Sequence, residues 1–178
     1  VIVLFRGINV GGKNILPMAE LRALLEDHGG TQITTYIQSG NVVMKHPEAD
    51  PVSLASGVAS EIERRFGFEP RVLALTPEVL ERAAAANPFP KGERDPSRLH
   101  LFFLTEDPGS DGIEAAESMR APSESFAVRG RVAYLHAPDG IARSKLAAGL
   151  ERALGVAGTG RNWRTIQKLQ SLAATMVP

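Results

Sequence analysis

The sequence opens with a continuous apolar run, residues 1–5, whose first positions are mostly β-branched. A run this short predicts a strand that is buried on both faces. Helical and strand-like spacings of apolar residues then alternate. They predict, in order, a helix that starts near Pro17 and ends at Gly29-Gly30, a hairpin of strands 33–38 and 42–44, a helix over 51–66 and a strand over 71–75. This βαββαβ order is typical of a ferredoxin-like split βαβ unit.

The same order recurs after a connector. The connector holds a short helix and then the stretch "NPFPKGERDPSR", whose prolines disfavour both helix and sheet. The pattern beyond it predicts a strand at 99–104, a helix at 113–119, strands at 125–128 and 132–136, a helix at 144–154, a strand at 156–159 and a closing helix from Trp163. We therefore predict an α+β fold of two ferredoxin-like halves with mainly antiparallel sheets and a C-terminal helix. The predicted divisions are 1–76, 77–98 and 99–178, and the alternative is an α/β sandwich without a repeat.

Composition limits the classes of protein and of site. With 43% hydrophobic and 22% charged residues, the chain has the composition of a globular protein. Its formal net charge is zero, so attraction to nucleic acid or membrane would need a local patch. There is no Cys, and His28, His46, His100 and His136 are scattered, so we expect no metal and no cofactor. No apolar stretch reaches the length of a membrane span, which favours a soluble, cytoplasmic protein.

The segment "FRGINVGGKN" at residues 5–14 has the spacing of a phosphate-binding loop. However, Asn14 stands where that loop has a Ser or Thr that binds magnesium, and Pro17 puts the helix start too late. These departures argue against NTP hydrolysis. We interpret the loop as an anion or ligand nest made by the amides of Gly11 and Gly12 with Lys13 and Arg6. The alternative is a flexible loop in which the glycines only supply positive φ.

Topology predicts which residues would join this loop. In a ferredoxin-like sheet the first two strands are parallel and the third lies between them, so their C-terminal ends share one edge. The predicted neighbours there are Gln38, Ser39 and Asn41 from the hairpin turn, and Arg6, Asn9 and Lys13 from the loop. This group has donors and two cations but no carboxylate and no His. It therefore indicates a binding site, and the sequence assigns no catalytic residue.

Four segments occur in the order "RGINVGGKN…PMAELRALLE", "TYIQSGNVV", "PDGIARSKL" and "GRNW". Together they resemble the bacterial family called domain of unknown function 1697, over nearly the whole chain. The motifs that recur in that family fall here on residues 6–12, on Tyr36 with residues 38–42, and on residues 161–163. The resemblance implies the fold and the location of the site, and it supplies no reaction.

The "GRNW" segment adds three candidates. Asn162 is predicted to cap the last helix. Trp163 is the single Trp, and it is interpreted as a core anchor or, alternatively, as a stacking platform for a ligand. Arg161 is favoured as a functional residue because a helix N-terminus does not otherwise favour a cation.

These observations predict a protein that binds an anionic or polar small ligand at the Arg6 loop and the turn at 38–41, with Arg161, Asn162 and Trp163 as further contacts. One alternative is a nucleic-acid-binding module that contacts phosphates. Its RNA-binding aromatic signature is absent from the strands. Another is a protein interaction scaffold, which would leave the polar loop cluster unexplained.

Overall fold

A computed structural model describes residues 1–38, 40–48 and 50–176 of the chain. By internal contacts it divides into two compact units. The first unit is Val1–Glu81 together with the segment that starts at Lys168, and the second is Arg82–Gln167. The two sheets of the structure are four-stranded and antiparallel.

The first unit has the predicted βαββαβ order. Its elements are β1 (Ile2–Arg6), α1 (Met18–Asp27), β2 (Thr31–Tyr36), β3 (Asn41–Lys45), α2 (Pro51–Phe66) and β4 (Arg71–Leu75). The strand order in the sheet is β2-β3-β1-β4, so β1 is an interior strand. Since β3 is antiparallel to both β1 and β2, these two strands run parallel, as the ferredoxin-like order requires.

The apolar run of β1 is buried on both of its faces. Val3 and Phe5 face the core that is built with the leucines of α1 and the apolar stripe of α2. Ile2 and Leu4 alternate with them and are fully buried as well. The prediction drawn from residues 1–5 is therefore confirmed, and β1 holds the loop that follows it on a rigid support.

The second unit repeats this arrangement. Its elements are β5 (Leu99–Leu104), α4 (Ser110–Ser118), β6 (Ser125–Arg129), β7 (Val132–His136), α5 (Lys145–Leu154) and β8 (Gly158–Asn162). The strand order is β6-β7-β5-β8, which matches the first sheet position by position. Between the repeats lie α3 (Pro77–Ala85) and a 3₁₀ helix at Pro90–Arg94, and α6 (Trp163–Ala174) follows β8. The predicted α+β fold with two similar halves and a C-terminal helix is confirmed.

Some boundaries differ from the predicted ones for local reasons. The first hairpin strand ends at Tyr36 instead of residue 38, because Ile37 has a φ of 50° and leaves the extended region. The last strand lies at 158–162 instead of 156–159, because the residues that pair with β5 run from Gly158, opposite Leu104, to Asn162, opposite His100. Within the described parts of the chain, no helix is long and apolar enough to cross a membrane.

Candidate functional site

Residues 9–14, here called the finger, form a small hairpin after β1. Val10 and Lys13 make an antiparallel bridge, and the Lys13 amide donates to the Val10 carbonyl at 3.1 Å. Gly11 and Gly12 have φ of 58° and 73°. Positive φ at both central positions is what a type I′ hairpin turn requires. The glycines therefore make a two-residue turn and do not open a helix, since α1 starts only at Met18.

The Asn9 side chain fastens the finger to the rest of the first unit. Its Oδ1 accepts from the Leu16 amide at 2.7 Å, and its Nδ2 donates to the Leu16 carbonyl at 2.8 Å. The same Nδ2 donates to the Gln38 carbonyl at 3.0 Å. Both Nδ2 hydrogens are thus committed within the protein. Asn9 therefore positions the site, and its predicted ligand contact stays a prediction.

The turn between β2 and β3 lies against the end of β1. The Phe5 amide donates to the Gly40 carbonyl at 2.8 Å. A Cβ at Gly40 would lie 2.5 Å from the Phe5 Cβ and 2.7 Å from the Ile8 Cδ1, so only glycine allows this approach. With the Asn9–Gln38 hydrogen bond, these contacts confirm that the loop after β1 and the turn after β2 share one end of the sheet.

The remaining turn residues have different exposures. Gln38 is exposed. Asn41 is fully buried, and its Nδ2 donates to the Tyr36 carbonyl at 3.1 Å, which closes the hairpin. The buried Asn41 side chain therefore stabilises the turn through its hydrogen bond to the Tyr36 carbonyl. Ser39, which the sequence places in the same group, lies outside the described residues.

Two arginines face each other at this end of the sheet. Arg6, the last residue of β1, pairs in register with Arg71, the first residue of β4. Side chains directly opposite on antiparallel strands leave the same face with Cβ atoms about 4.5–5.5 Å apart. Both residues are exposed, and so is Lys13 on the finger. The Asn14 Nδ2 donates to the Gly7 carbonyl at 2.7 Å, which holds the finger beside Arg6.

Arg71 was not among the residues predicted from the sequence. The signal was available, because an antiparallel β4 beside β1 must place its first residues opposite the last residues of β1. Once β1 and β4 are known to be neighbours, their register is enough to place Arg71 opposite Arg6.

The surroundings of this site carry no negative side chains in two long segments. Residues 1–19 and 28–47 contain no Asp and no Glu, although they include Arg6 and Lys13. The whole chain has 20 basic and 20 acidic residues, so these two segments carry a local excess of positive charge. In the described part of the chain, no group of three His, Asp or Glu residues could hold a metal ion. The site therefore has the character of a local positive patch.

The "GRNW" residues belong to the second unit. Arg161 lies in β8 opposite Leu101, and its Nη1 donates to the Gly160 carbonyl at 2.8 Å. The Asn162 Oδ1 accepts from the Thr165 amide at 2.9 Å, which confirms the predicted helix cap. Trp163 is 5% exposed, as a core anchor would be. A ligand-binding role for these three residues stays a prediction.

Comparisons with known proteins agree with this architecture. The family described as protein of unknown function (DUF1697) matches residues 1–134, a range that ends before the "PDGIARSKL" and "GRNW" segments. The solved structure of the conserved bacterial protein SP0830 from Streptococcus pneumoniae is similar with a TM-score of 0.74 and 25% sequence identity, over 97% of each chain. No curated protein sequence matches the chain. Since the family match extends over most of its length, the chain belongs to the DUF1697 family of proteins of unknown function.

Proposed function

We propose that the first unit binds a small anionic ligand at the end of its sheet. The site consists of Arg6 and Arg71, Lys13 on the finger, and Gln38 after β2. The observation that carries the proposal is the pairing of Arg6 with Arg71 in direct register at the edge where the finger and the turn meet.

The energetics of such a pair favour an anion. Like charges directly opposite each other on neighbouring strands destabilise a sheet. A phosphate or carboxylate group between the two guanidinium groups would accept charge-assisted hydrogen bonds from both. The planar fork of arginine suits the bidentate geometry of these groups, which a lysine cannot reproduce. Arg6 and Arg71 would therefore fix the position and the orientation of the ligand.

The finger supplies further donors. The amides of Gly11 and Gly12 donate to no other residue in the described ranges. A Cβ on either glycine would meet nothing within 4 Å, so there is open space beside the turn. Amides that follow one another with positive φ can converge on an anion. Lys13 would add a mobile charge beside them, and the exposed Gln38 side chain would add a neutral donor.

The chemistry of the residues supports binding without a reaction. The segments that form the finger and the turn contain no Asp and no Glu, so they provide no carboxylate for general acid–base catalysis. The described residues also hold no cluster of metal ligands. We therefore assign a binding function and name no catalytic residue.

Isothermal titration with inorganic phosphate and pyrophosphate tests the proposal. Arg6→Ala and Arg71→Ala should each weaken pyrophosphate binding by about tenfold to hundredfold, because each removes a hydrogen bond to a charged group. Arg6→Lys should recover part of that loss. Arg131→Ala removes an exposed arginine from the hairpin of the second sheet and should leave the affinity unchanged. The proposal fails if wild type binds neither anion, or if Arg6→Ala binds as tightly as wild type.

A further inference from the structure

Exposed aliphatic side chains gather at the same end of the first sheet. Among the described residues, four large hydrophobic side chains are exposed. Three of them belong to this end of the sheet: Val10 lies in the finger, Ile15 follows the finger directly, and Ile37 precedes Gln38, which is bonded to Asn9. They are 65%, 57% and 52% exposed. Single exposed hydrophobic residues are ordinary on a protein surface, but a cluster of them marks an interaction site.

The hydrogen bonds of Asn9 bring together the segments that carry these three residues. Val10 follows Asn9 directly in sequence. Ile15 precedes Leu16, and Ile37 precedes the Gln38 carbonyl; the Asn9 carboxamide is bonded to both Leu16 and Gln38. Three separate segments are therefore tied to one side chain, and each presents an aliphatic residue next to the tie.

Ile37 is held in an unfavourable backbone conformation. Its φ of 50° lies in the left-handed region, where a β-branched residue is a clear outlier. Asn or Gly would occupy the position with less strain. An isoleucine that is 52% exposed at such a position contributes less to folding than a fully buried one. Strain of this kind clusters at active sites, ligand clamps and switch regions.

We infer that the ligand is an amphiphilic anion, with a phosphate or carboxylate head between Arg6 and Arg71 and a short alkyl body against Val10, Ile15 and Ile37. The inference rests on the anion site proposed above. It joins two properties of one end of the sheet, because Val10, Ile15 and Ile37 lie in the carboxylate-free segments 1–19 and 28–47 that also hold Arg6 and Lys13. A ligand that carries both properties in one small molecule matches both.

Larger occupants fit this surface less well. A second copy of the chain would bring two positive patches together. A stable protein partner would need roughly 1,000 Å² or more of buried area, with about 20–30 residues on each side. Three aliphatic side chains around a single carboxamide are far from that size, and they suit a chain of a few methylenes.

The experiment is a titration series of inorganic, methyl, butyl and hexyl phosphate at constant ionic strength. Full burial of one methylene improves binding by about fourfold, so even partial burial should make hexyl phosphate bind about tenfold or more tighter than methyl phosphate. Ile37→Asn should flatten this series and keep or raise the urea midpoint. Val52→Asn, which alters the fourth exposed hydrophobic residue at the start of α2, should leave the series as it is.

The outcomes separate the two proposals. If no member of the series binds, the anion site and the amphiphile both fail. If inorganic and methyl phosphate bind in an Arg6-dependent way and the affinity does not rise with chain length, only the amphiphile fails. The amphiphile proposal is also overturned if the affinity still rises with chain length in the double variant Ile37→Asn, Val10→Asn, because the alkyl chain then lies elsewhere. Binding to phosphatidic acid vesicles without binding of hexyl phosphate would overturn it as well, because it would mean that the surface docks on a bilayer.

Discussion

A buried histidine gives the second unit a pH-dependent stability. His100 is 9% exposed in the interior strand β5, and its Nδ1 has no hydrogen-bond partner among the described residues. Its ring lies near that of Phe102, with the centroids 6.5 Å apart. Burial lowers the pKa of His100 below its ordinary value of 6.5, and the hydrogen bond from its ring to the Arg98 backbone opposes this only in part. The folded protein therefore holds this imidazole in the neutral form.

The sign of the effect follows from proton linkage. Because the folded pKa lies below the unfolded one, the unfolded chain binds more protons in acid. The stabilisation is complete above the unfolded pKa and is lost as the pH falls through the folded pKa. We expect the urea midpoint to be lower at pH 5 than at pH 7.5, and the difference to shrink in His100→Leu. Equal pH dependence in the two proteins would contradict the assignment to His100.

Carboxylates should not obscure that window. The pKa of Glu61 is lowered to about 2 by hydrogen bonds from Arg64 and Arg65. Its contribution is therefore present above the ordinary value of 4.5 and is lost only between that value and about 2. In unfolding experiments at pH 5 and above, the Glu61 carboxylate of the folded protein thus stays ionised.

At the scale of the element, Gly40 holds the β2–β3 turn against β1. An alanine there would be strained at a φ of 76° and would also press into Phe5 and Ile8. Gly40→Ala should reduce the free energy of unfolding by about 2–5 kcal/mol, the sum of left-handed strain and overpacking. Gly12 is the matched control, since its φ is 73° and a Cβ there meets nothing within 4 Å. Gly12→Ala should cost about 1–2 kcal/mol, and equal losses in urea unfolding would show that crowding does not fix the turn.

The elements themselves were predictable because periodicity records burial. The apolar run at residues 1–5 and the helical stripe over 51–66 predicted β1 and α2 nearly to the residue. The finger was predicted as a glycine loop only, although a Gly-Gly pair is a known signal for a type I′ turn. Its two flanking residues, Val10 and Lys13, are too few to show the alternation that identifies a hairpin.

The candidate site was predictable in outline and not in its parts. The topology of the βαββαβ unit was enough to bring the Arg6 loop and the turn at Gln38 to one edge. Arg71 depends on the register between β1 and β4, which no local pattern contains. The left-handed φ of Ile37 goes against the preference of a β-branched residue, so reasoning from propensity predicts an extended strand there. Such conflicts between local preference and structure are expected where a residue serves function.

At the scale of the whole molecule, the balanced net charge means that any attraction of an anion comes from a local patch of cations and not from the charge of the protein as a whole. With 20 basic and 20 acidic residues, the chain has no net charge to attract anions from a distance or to repel itself. Attraction of an anion to Arg6, Arg71 and Lys13 would then be a short-range effect at one end of one sheet. Added salt should therefore weaken anion binding but have little effect on the stability of the fold.

We therefore expect added sodium chloride to weaken pyrophosphate binding and to leave folding nearly unchanged. Between 0.01 M and 0.1 M salt the Debye length falls from about 30 Å to about 10 Å, which screens exposed cations such as the three in the site. Titrations at the two salt concentrations should show weaker binding at the higher one, with a smaller change in Arg6→Ala because one cation is gone. The urea midpoint without ligand should hardly move, since no net charge is screened. A strong shift of the midpoint together with salt-independent binding would place the relevant electrostatics in the fold and not in the site.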